Sequence, residues 1–277
     1  MQIGKRNKLI IDRITAPGAF LKDEDGNEVL LPGKYLNDDA KEEDELDVFV
    51  YRDSEDRIVA TTEEPYLELG EIIYLKAKDV SLYGVFVDWG LEKDLLIPYK
   101  EQKQRMEEGA FYPVCLLLDE ATDRLYGTTK IEKNIQKCDD TSLKGEMVDL
   151  QAWNPTPLGR KMIVNKRYQG LVFQNDINQE LFPGKSLKGY VTAVREDGKL
   201  DLSIRRAGKE GQDDAADKLM ELLQVERVIS VGDKSDPDEI RNVLGMSKKT
   251  FKKAAGKLYK ERLITIEPDC IRMLETK

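Results

Sequence analysis

For most of its length the chain alternates short apolar runs with polar, turn-rich stretches. Leu9-Ile10-Ile11, Ala19-Phe20-Leu21, Val29-Leu30-Leu31 and Leu46 to Tyr51 are runs of strand length, and Lys22-Asp23-Glu24-Asp25-Gly26-Asn27 has the composition of a turn. A second set follows in Ile72 to Ala77, Val85-Phe86-Val87, Leu95-Leu96-Ile97 and Pro113 to Leu118. Five short strands in about 65 residues, with little helix, predict a small antiparallel barrel. The two sets are copies. Pro17-Gly18-Ala19-Phe20-Leu21-Lys22-Asp23 returns sixty-six residues later as Tyr83-Gly84-Val85-Phe86-Val87-Asp88-Trp89, and Val29-Leu30-Leu31-Pro32 returns as Leu95-Leu96-Ile97-Pro98. A period this long describes a duplicated small domain rather than a solenoid unit. Gly18 and Gly84 fall inside strand patterns, where glycine marks a sharp bend or a close backbone approach.

A third, more divergent set runs through Leu158 to Val164, Gly170-Leu171-Val172-Phe173, Gly189 to Val194 and Leu200 to Ile204. After a polar stretch, Lys209 to Asp214, read as a linker, the apolar period lengthens to about 3.6. Ala215 to Gln224 forms a first predicted helix. Asp236-Pro237-Asp238-Glu239 carries an acidic N-cap, a first-turn proline and a glutamate three residues after the cap, and opens a second helix to Leu244. Gly245 ends it, and Ser247 caps a third helix running to about Arg262. Leu263 to Ile266 and Cys270 to Leu274 then read as a two-stranded wing. This order is that of a winged helix-turn-helix. The expected architecture is mainly β with a small α+β C-terminal domain: tandem five-stranded OB-fold barrels at 1–64, 65–140 and 141–208, then a winged helix at 213–277.

Charge sharpens this picture. The net charge is −9, but residues 1–142 carry −13, residues 143–210 carry +4, and residues 211–277 are neutral. The acid includes the run Asp38 to Glu45, read as a solvated loop. Screening limits a charge to about 8 Å at physiological salt, so local patches outweigh the total. The candidate phosphate contacts are therefore Lys161, Lys185, Lys188, Arg195, Lys199, Arg205 and Arg206 in the third module, and Lys248, Lys249, Lys252, Lys253, Lys257 and Lys260 on the third helix. On that helix Phe251, Ala254, Ala255 and Leu258 share the apolar face, and most of the lysines lie opposite. Such a face is either a nucleic-acid contact or a solvated or partner-docking surface; acidic residues that would neutralise it are nearly absent from Gly245 to Arg262, and both readings stand.

The pattern of glycine, apolar, Phe, apolar, acidic, then a Leu-Leu strand and a late Asp/Arg hairpin, resembles the S-one-type RNA-binding OB-fold repeat of a ribosomal protein. That resemblance implies base-stacking aromatics on the second and third strands. Tyr83 and Phe86 fall on the two aromatic positions of the second strand in the second copy. In the first copy Phe20 fills one and Pro17 the other, and in the third copy Leu158 and Lys161 stand there. The histidine often found near the end of the third strand is replaced by Ile97. Alternation leaves two readings for Phe86, inward or outward, with the flanking valines better suited to the core.

Catalytic signatures are sparse. The chain has no histidine, which excludes Ser-His-Asp and Cys-His arrangements and histidine-ligated zinc. Gly184-Lys185-Ser186 lacks the earlier glycine of a phosphate loop, because Gln179 holds that place, and reads as a turn. Asp53 with Arg57, and Asp119 with Arg124, read as hairpin ion pairs. Cys115, Cys138 and Cys270 form no metal spacing; they fit a reduced, cytoplasmic setting, with Cys115 a small core residue. No secretion signal opens the sequence and no apolar run reaches bilayer length. No cofactor, membrane partner or enzymatic activity is expected.

Three S-one-type modules followed by Val231-Gly232-Asp233-Lys234-Ser235-Asp236-Pro237 and Ser247-Lys248-Lys249-Thr250-Phe251-Lys252-Lys253-Ala254 closely resemble the conserved virulence factor B family, also called the YitL family. The resemblance implies a bacterial RNA-binding regulator acting on single-stranded RNA. The alternatives are a winged-helix regulator of duplex DNA and a docking protein of the ribosome or of RNA-processing proteins.

Overall fold

A computed structural model describes residues 1–177, 179–204 and 209–274. The first module folds β1 (Arg6–Thr15), β2 (Gly18–Lys22), β3 (Glu28–Pro32), β4 (Glu45–Arg52) and β5 (Ile58–Thr61) into a closed barrel of order β1-β2-β3-β5-β4. A parallel bridge from Leu30 to Val59 closes it. In the second module β6 (Ile72–Val80), β7 (Gly84–Val87), β8 (Leu95–Pro98), β9 (Phe111–Asp119) and β10 (Arg124–Thr128) keep that order as β10-β9-β6-β7-β8, but as an open sheet with no ladder between β8 and β10. The third module, β11 (Met147–Thr156), β12 (Gly159–Val164), β13 (Tyr168–Phe173), β14 (Ser186–Val194) and β15 (Leu200–Ser203), closes again.

The glycines hold the barrel bend. Gly18, Gly84 and Gly159 open β2, β7 and β12 at φ of +145°, +155° and +149°. A Cβ on any of them would lie 2.0–2.2 Å from the carbonyl oxygen of Leu31, Ile97 or Val172 on the next strand. Only glycine tolerates both the dihedral and the approach.

The modules share walls. Along β4 the side chains alternate between two cores, Val48 and Val50 in the first barrel and Phe49 and Tyr51 in the second module. Phe49 and Tyr51 meet Trp89 edge-on at 5.8 and 6.4 Å between ring centroids. β9 repeats the device: Val114 and Leu116 face the second core while Cys115 packs with Trp153 and Ile163 of the third barrel. Cys115 is therefore a residue of the seam between modules rather than of a barrel interior. Hydrogen bonds join the same seam, with Ile72 N donating to Lys166 O at 2.7 Å and Tyr74 N to the side-chain Oε1 of Gln151 at 2.9 Å.

The C-terminal part has its own core. It comprises α1 (Lys209–Glu226), β16 (Val228–Ile229), α2 (Pro237–Leu244), α3 (Lys248–Lys260), β17 (Ile264–Ile266) and β18 (Ile271–Met273). Asp236 caps α2 through Asp238 N, Gly245 ends it in the left-handed conformation, and Ser247 caps α3 through Thr250 N. Phe251, Ala254, Ala255 and Leu258 are buried, as the apolar stripe requires. Two expectations change. Lys209 to Asp214 is not a linker but the first turns of α1. The wing gains a third strand, β16, in the order β16-β18-β17, from a two-residue segment too short to show a period.

Candidate nucleic-acid interface

The turns that open β2, β7 and β12 are built alike. The hydroxyls of Thr15, Ser81 and Thr156 donate to the carbonyls of Gly18, Gly84 and Gly159 at 2.8, 3.0 and 2.9 Å. The residue before each glycine is left at the tip: Pro17, Tyr83 or Leu158. Tyr83 is 76% exposed and Leu82 beside it 92%. Tyr99, also exposed, donates its hydroxyl to Ser81 O at 2.7 Å and braces the turn. The second module thus presents an aromatic tip that the other two lack. Sequence reasoning missed Leu82 and Tyr99, because an isolated residue in a turn has no periodicity to read.

Phe86 takes the outward alternative. Val85 and Val87 are fully buried and Phe86 is half-buried on the other face. It does not stand on an open platform. Phe86, Leu95 and Leu96 line a cleft of about 270 Å³ whose opposite wall is the β4–β5 hairpin of the first barrel, through Tyr51, Arg52 and Asp56. The cations of this cleft are already engaged. Arg124 pairs with Asp56 at 2.8 Å and Arg52 with Asp123 at 3.6 Å. Lys93 Nζ donates to the carbonyls of Arg52 and Asp53 at 3.2 and 2.6 Å, and burial lowers its pKa from the usual lysine value. The Arg124 pair corrects the expected hairpin contact with Asp119: the module seam brings Asp56 to the guanidinium. Arg57, by contrast, does pair with Asp53 at 2.7 Å.

Phe20 is half-buried on β2, and the Arg13 guanidinium covers its ring at 4.2 Å from the centroid. Arg13 is held there by two hydrogen bonds to Glu28 at 2.7 and 3.0 Å. A base could stack on Phe20 only by displacing Arg13.

In the third barrel the sequence-predicted cations have internal partners. Lys188 pairs with Asp149 at 2.5 Å, Lys199 with Asp197 at 2.6 Å, and Arg195 with Asp201. Lys185 Nζ donates to Gln179 Oε1 and Glu180 O at 3.0 and 2.7 Å. Lys161 is half-buried with its ammonium 5.4 Å from the Trp153 ring centroid. Arg205 and Arg206 lie outside the described residues.

On α3 the balance differs. Lys248 donates to Ser235 O at 2.7 Å and Lys252 pairs with Asp233 at 2.8 Å. Lys257 is half-buried. Lys249, Lys253 and Lys260 are exposed, and among the described residues no carboxylate is paired with them. The structure therefore brings three unneutralised cations together on one helix face. Elsewhere, Glu267, Asp269 and Cys270 converge within 4.8 Å on the wing turn. Arg272 at 2.9 Å and the Cys270 thiol at 3.4 Å already occupy the Glu267 carboxylate, so the group makes a poor metal site.

Residues 3–63 match the model of the S1 domain, and residues 217–273 match that of the CvfB-like winged helix domain. A Bacillus subtilis (strain 168) protein named YitL is 28% identical over 271 residues, covering 94% of this chain and 90% of its own. Conserved virulence factor B of Staphylococcus aureus (strain USA300) is 26% identical over 258 residues, covering 90% and 86%. Over most of its length the chain is similar to the conserved virulence factor B and YitL proteins, and its C-terminal domain matches the CvfB-like winged helix domain. The similarity spans the barrels as well as the winged helix. A solved multidomain protein with nucleic acid binding domains from Streptococcus pneumoniae covers 98% of both chains at 20% identity with a TM-score of 0.43. The domain content, OB-fold barrels of the S1 type followed by a winged helix, is that of a nucleic-acid-binding protein. Among the described residues no helix is long and apolar enough to cross a membrane.

Proposed function

We propose that this protein is a cytoplasmic RNA-binding regulator that holds single-stranded RNA, with the lysine face of α3 on phosphates and the Tyr83 tip on a base. It acts after transcription and needs neither a cofactor nor an enzymatic step. The observation that carries the reading is the contrast in charge pairing. Lys188, Arg195 and Lys199 of the third barrel are tied to carboxylates of that barrel, whereas Lys249, Lys253 and Lys260 have no acidic partner among the described residues. Exposed ion pairs contribute only about 0–1 kcal/mol, so the barrel cations can be recruited, but at lower net attraction. An exposed tyrosine that stacks a base contributes ~1–3 kcal/mol and tolerates any sequence. A base on Phe86 would have to enter the cleft under the first barrel's hairpin, which makes Tyr83 the more accessible aromatic.

The helix-turn-helix geometry of α2, Gly245 and α3 also favours a second reading, α3 in the major groove of duplex DNA. Photocrosslinking with a thiouridine-substituted single-stranded RNA, followed by peptide mapping, separates the two. Adducts at Tyr83 together with peptides of α3 are expected. Adducts absent from the barrels, with a duplex-DNA probe crosslinking only α3, would contradict the RNA reading.

A further inference from the structure

Gly256 stands in the interior of the thirteen-residue helix α3, where glycine disfavours the helix relative to alanine. Interior helix glycines often have a packing reason, because another element comes too close for a side chain. Gly256 has none. A Cβ built there would meet nothing within 4 Å, and the residue has an ordinary helical φ. The buried face of α3 is formed by Phe251, Ala254, Ala255 and Leu258, and Gly256 is not part of it. Nothing inside the described fold asks for a glycine at this position.

Its neighbours do. At about 100° per residue, Gly256 falls in the middle of the exposed face, between Lys249, Lys253 and Lys260, with Lys252 and Tyr259 along one flank. Tyr259 is 57% exposed. The helix therefore carries a notch bare of side chain, ringed by long cations that have no acidic partner among the described residues in three cases. Lysines can reach a phosphate from a distance; a notch between them matters only if something comes up against the helix backbone itself.

We infer that Gly256 is a clearance site at which the sugar-phosphate backbone of a bound RNA strand approaches the α3 main chain, while Lys249, Lys253 and Lys260 hold the flanking phosphates. The inference rests on the RNA-binding reading above and adds a residue to that site. Charge complementarity selects a polyanion as the occupant. Helix stability is sacrificed at this position for contact, so stability and affinity must respond to substitution with opposite signs.

The test compares Gly256→Ala, Gly256→Leu and Lys253→Glu in the full chain. Melting is followed calorimetrically, and binding by anisotropy of a fluorescein-labelled single-stranded RNA of mixed sequence. Gly256→Ala is expected to raise the melting temperature of the winged-helix transition by several degrees, roughly 4–8 °C for a domain of this size, and to weaken RNA binding several-fold. Gly256→Leu is expected to keep the fold and weaken binding further, because clearance depends on side-chain size. Equal losses for alanine and leucine would mean that the glycine serves backbone flexibility, and would overturn the clearance role. Unchanged affinity in both variants, with Lys253→Glu still weakened, would overturn it while leaving the lysine site standing. No RNA binding by the unaltered protein would overturn both readings and direct attention to a protein partner.

Discussion

Replacing Lys249, Lys253 and Lys260 together by glutamine removes three cations that hold no internal carboxylate among the described residues. Each phosphate contact releases condensed counterions, and on a single strand contributes about 0.7 to the slope of log K against log salt. Losing three contacts should flatten that slope by about 2, which amounts to roughly a twentyfold difference in salt sensitivity between 50 and 200 mM. Replacing Lys188, Arg195 and Lys199 removes the same formal charge from the third barrel. Their carboxylate partners, Asp149, Asp201 and Asp197, stand within ion-pair distance. A phosphate approaching any of these cations also meets its acid, so the slope should change by much less than for the α3 set. The assay is anisotropy titration of single-stranded RNA at four or more salt concentrations for the parent and both triple variants. Equal flattening by the two sets, or greater flattening by the barrel set, would refute the reasoning from charge pairing.

Other consequences follow from the scaffold. Gly84→Ala places a Cβ 2.2 Å from Ile97 O at a φ of +155°, and the strain and overpacking together should cost about 2–6 kcal/mol; a denaturant midpoint within error of the parent would count against the close approach. Phe49 is wholly buried in the core of the second module although it belongs to the first barrel. Phe49→Ala should cost about 3–5 kcal/mol and lower a single barrel transition in calorimetry, whereas a shift in only one of two separate transitions would deny the shared wall. Burial pushes the Cys115 thiol up to about 12, so at pH 8 it should resist a thiol reagent that modifies the half-exposed Cys270; comparable rates for both in the folded protein would show that the seam opens.

Much of the fold was legible because its signals are local. Alternation located the strands, the sixty-six-residue period aligned Gly18 with Gly84, and the capping residues Asp236 and Ser247 set the helix starts. Val48-Phe49-Val50-Tyr51 also carried a signal that alternation alone understates: four successive apolar residues in a strand mark burial on both faces. The structure assigns those faces to different modules. What the sequence did not carry was pairing across modules. Arg124 lies five residues from Asp119 but meets Asp56 at 2.8 Å, a contact that exists only once the barrels pack. In the third barrel the spacing marked a basic surface, yet Lys188, Arg195 and Lys199 find acids and Lys185 finds carbonyl oxygens within the same barrel, and most of the candidate interface contracts to α3 and the Tyr83 tip. Lys209 to Asp214 was misread for the opposite reason: polar composition imitates a linker, while helix continuity is decided by the apolar anchors Ala215, Ala216, Leu219 and Leu223 that follow.

A protein built this way joins two kinds of surface. The packed barrels carry an aromatic tip, and the winged helix adds an exposed cationic face with a core of its own. Neither surface is large, so affinity would depend on both meeting one strand.

The most direct measurement is a titration of the intact protein with single-stranded RNA, duplex RNA and duplex DNA of matched sequence at one physiological salt concentration. The account predicts that the single strand binds most tightly, and that Tyr83→Ala weakens it without affecting either duplex. Tighter binding of duplex DNA, insensitive to Tyr83, would contradict it and assign the function to α3 alone.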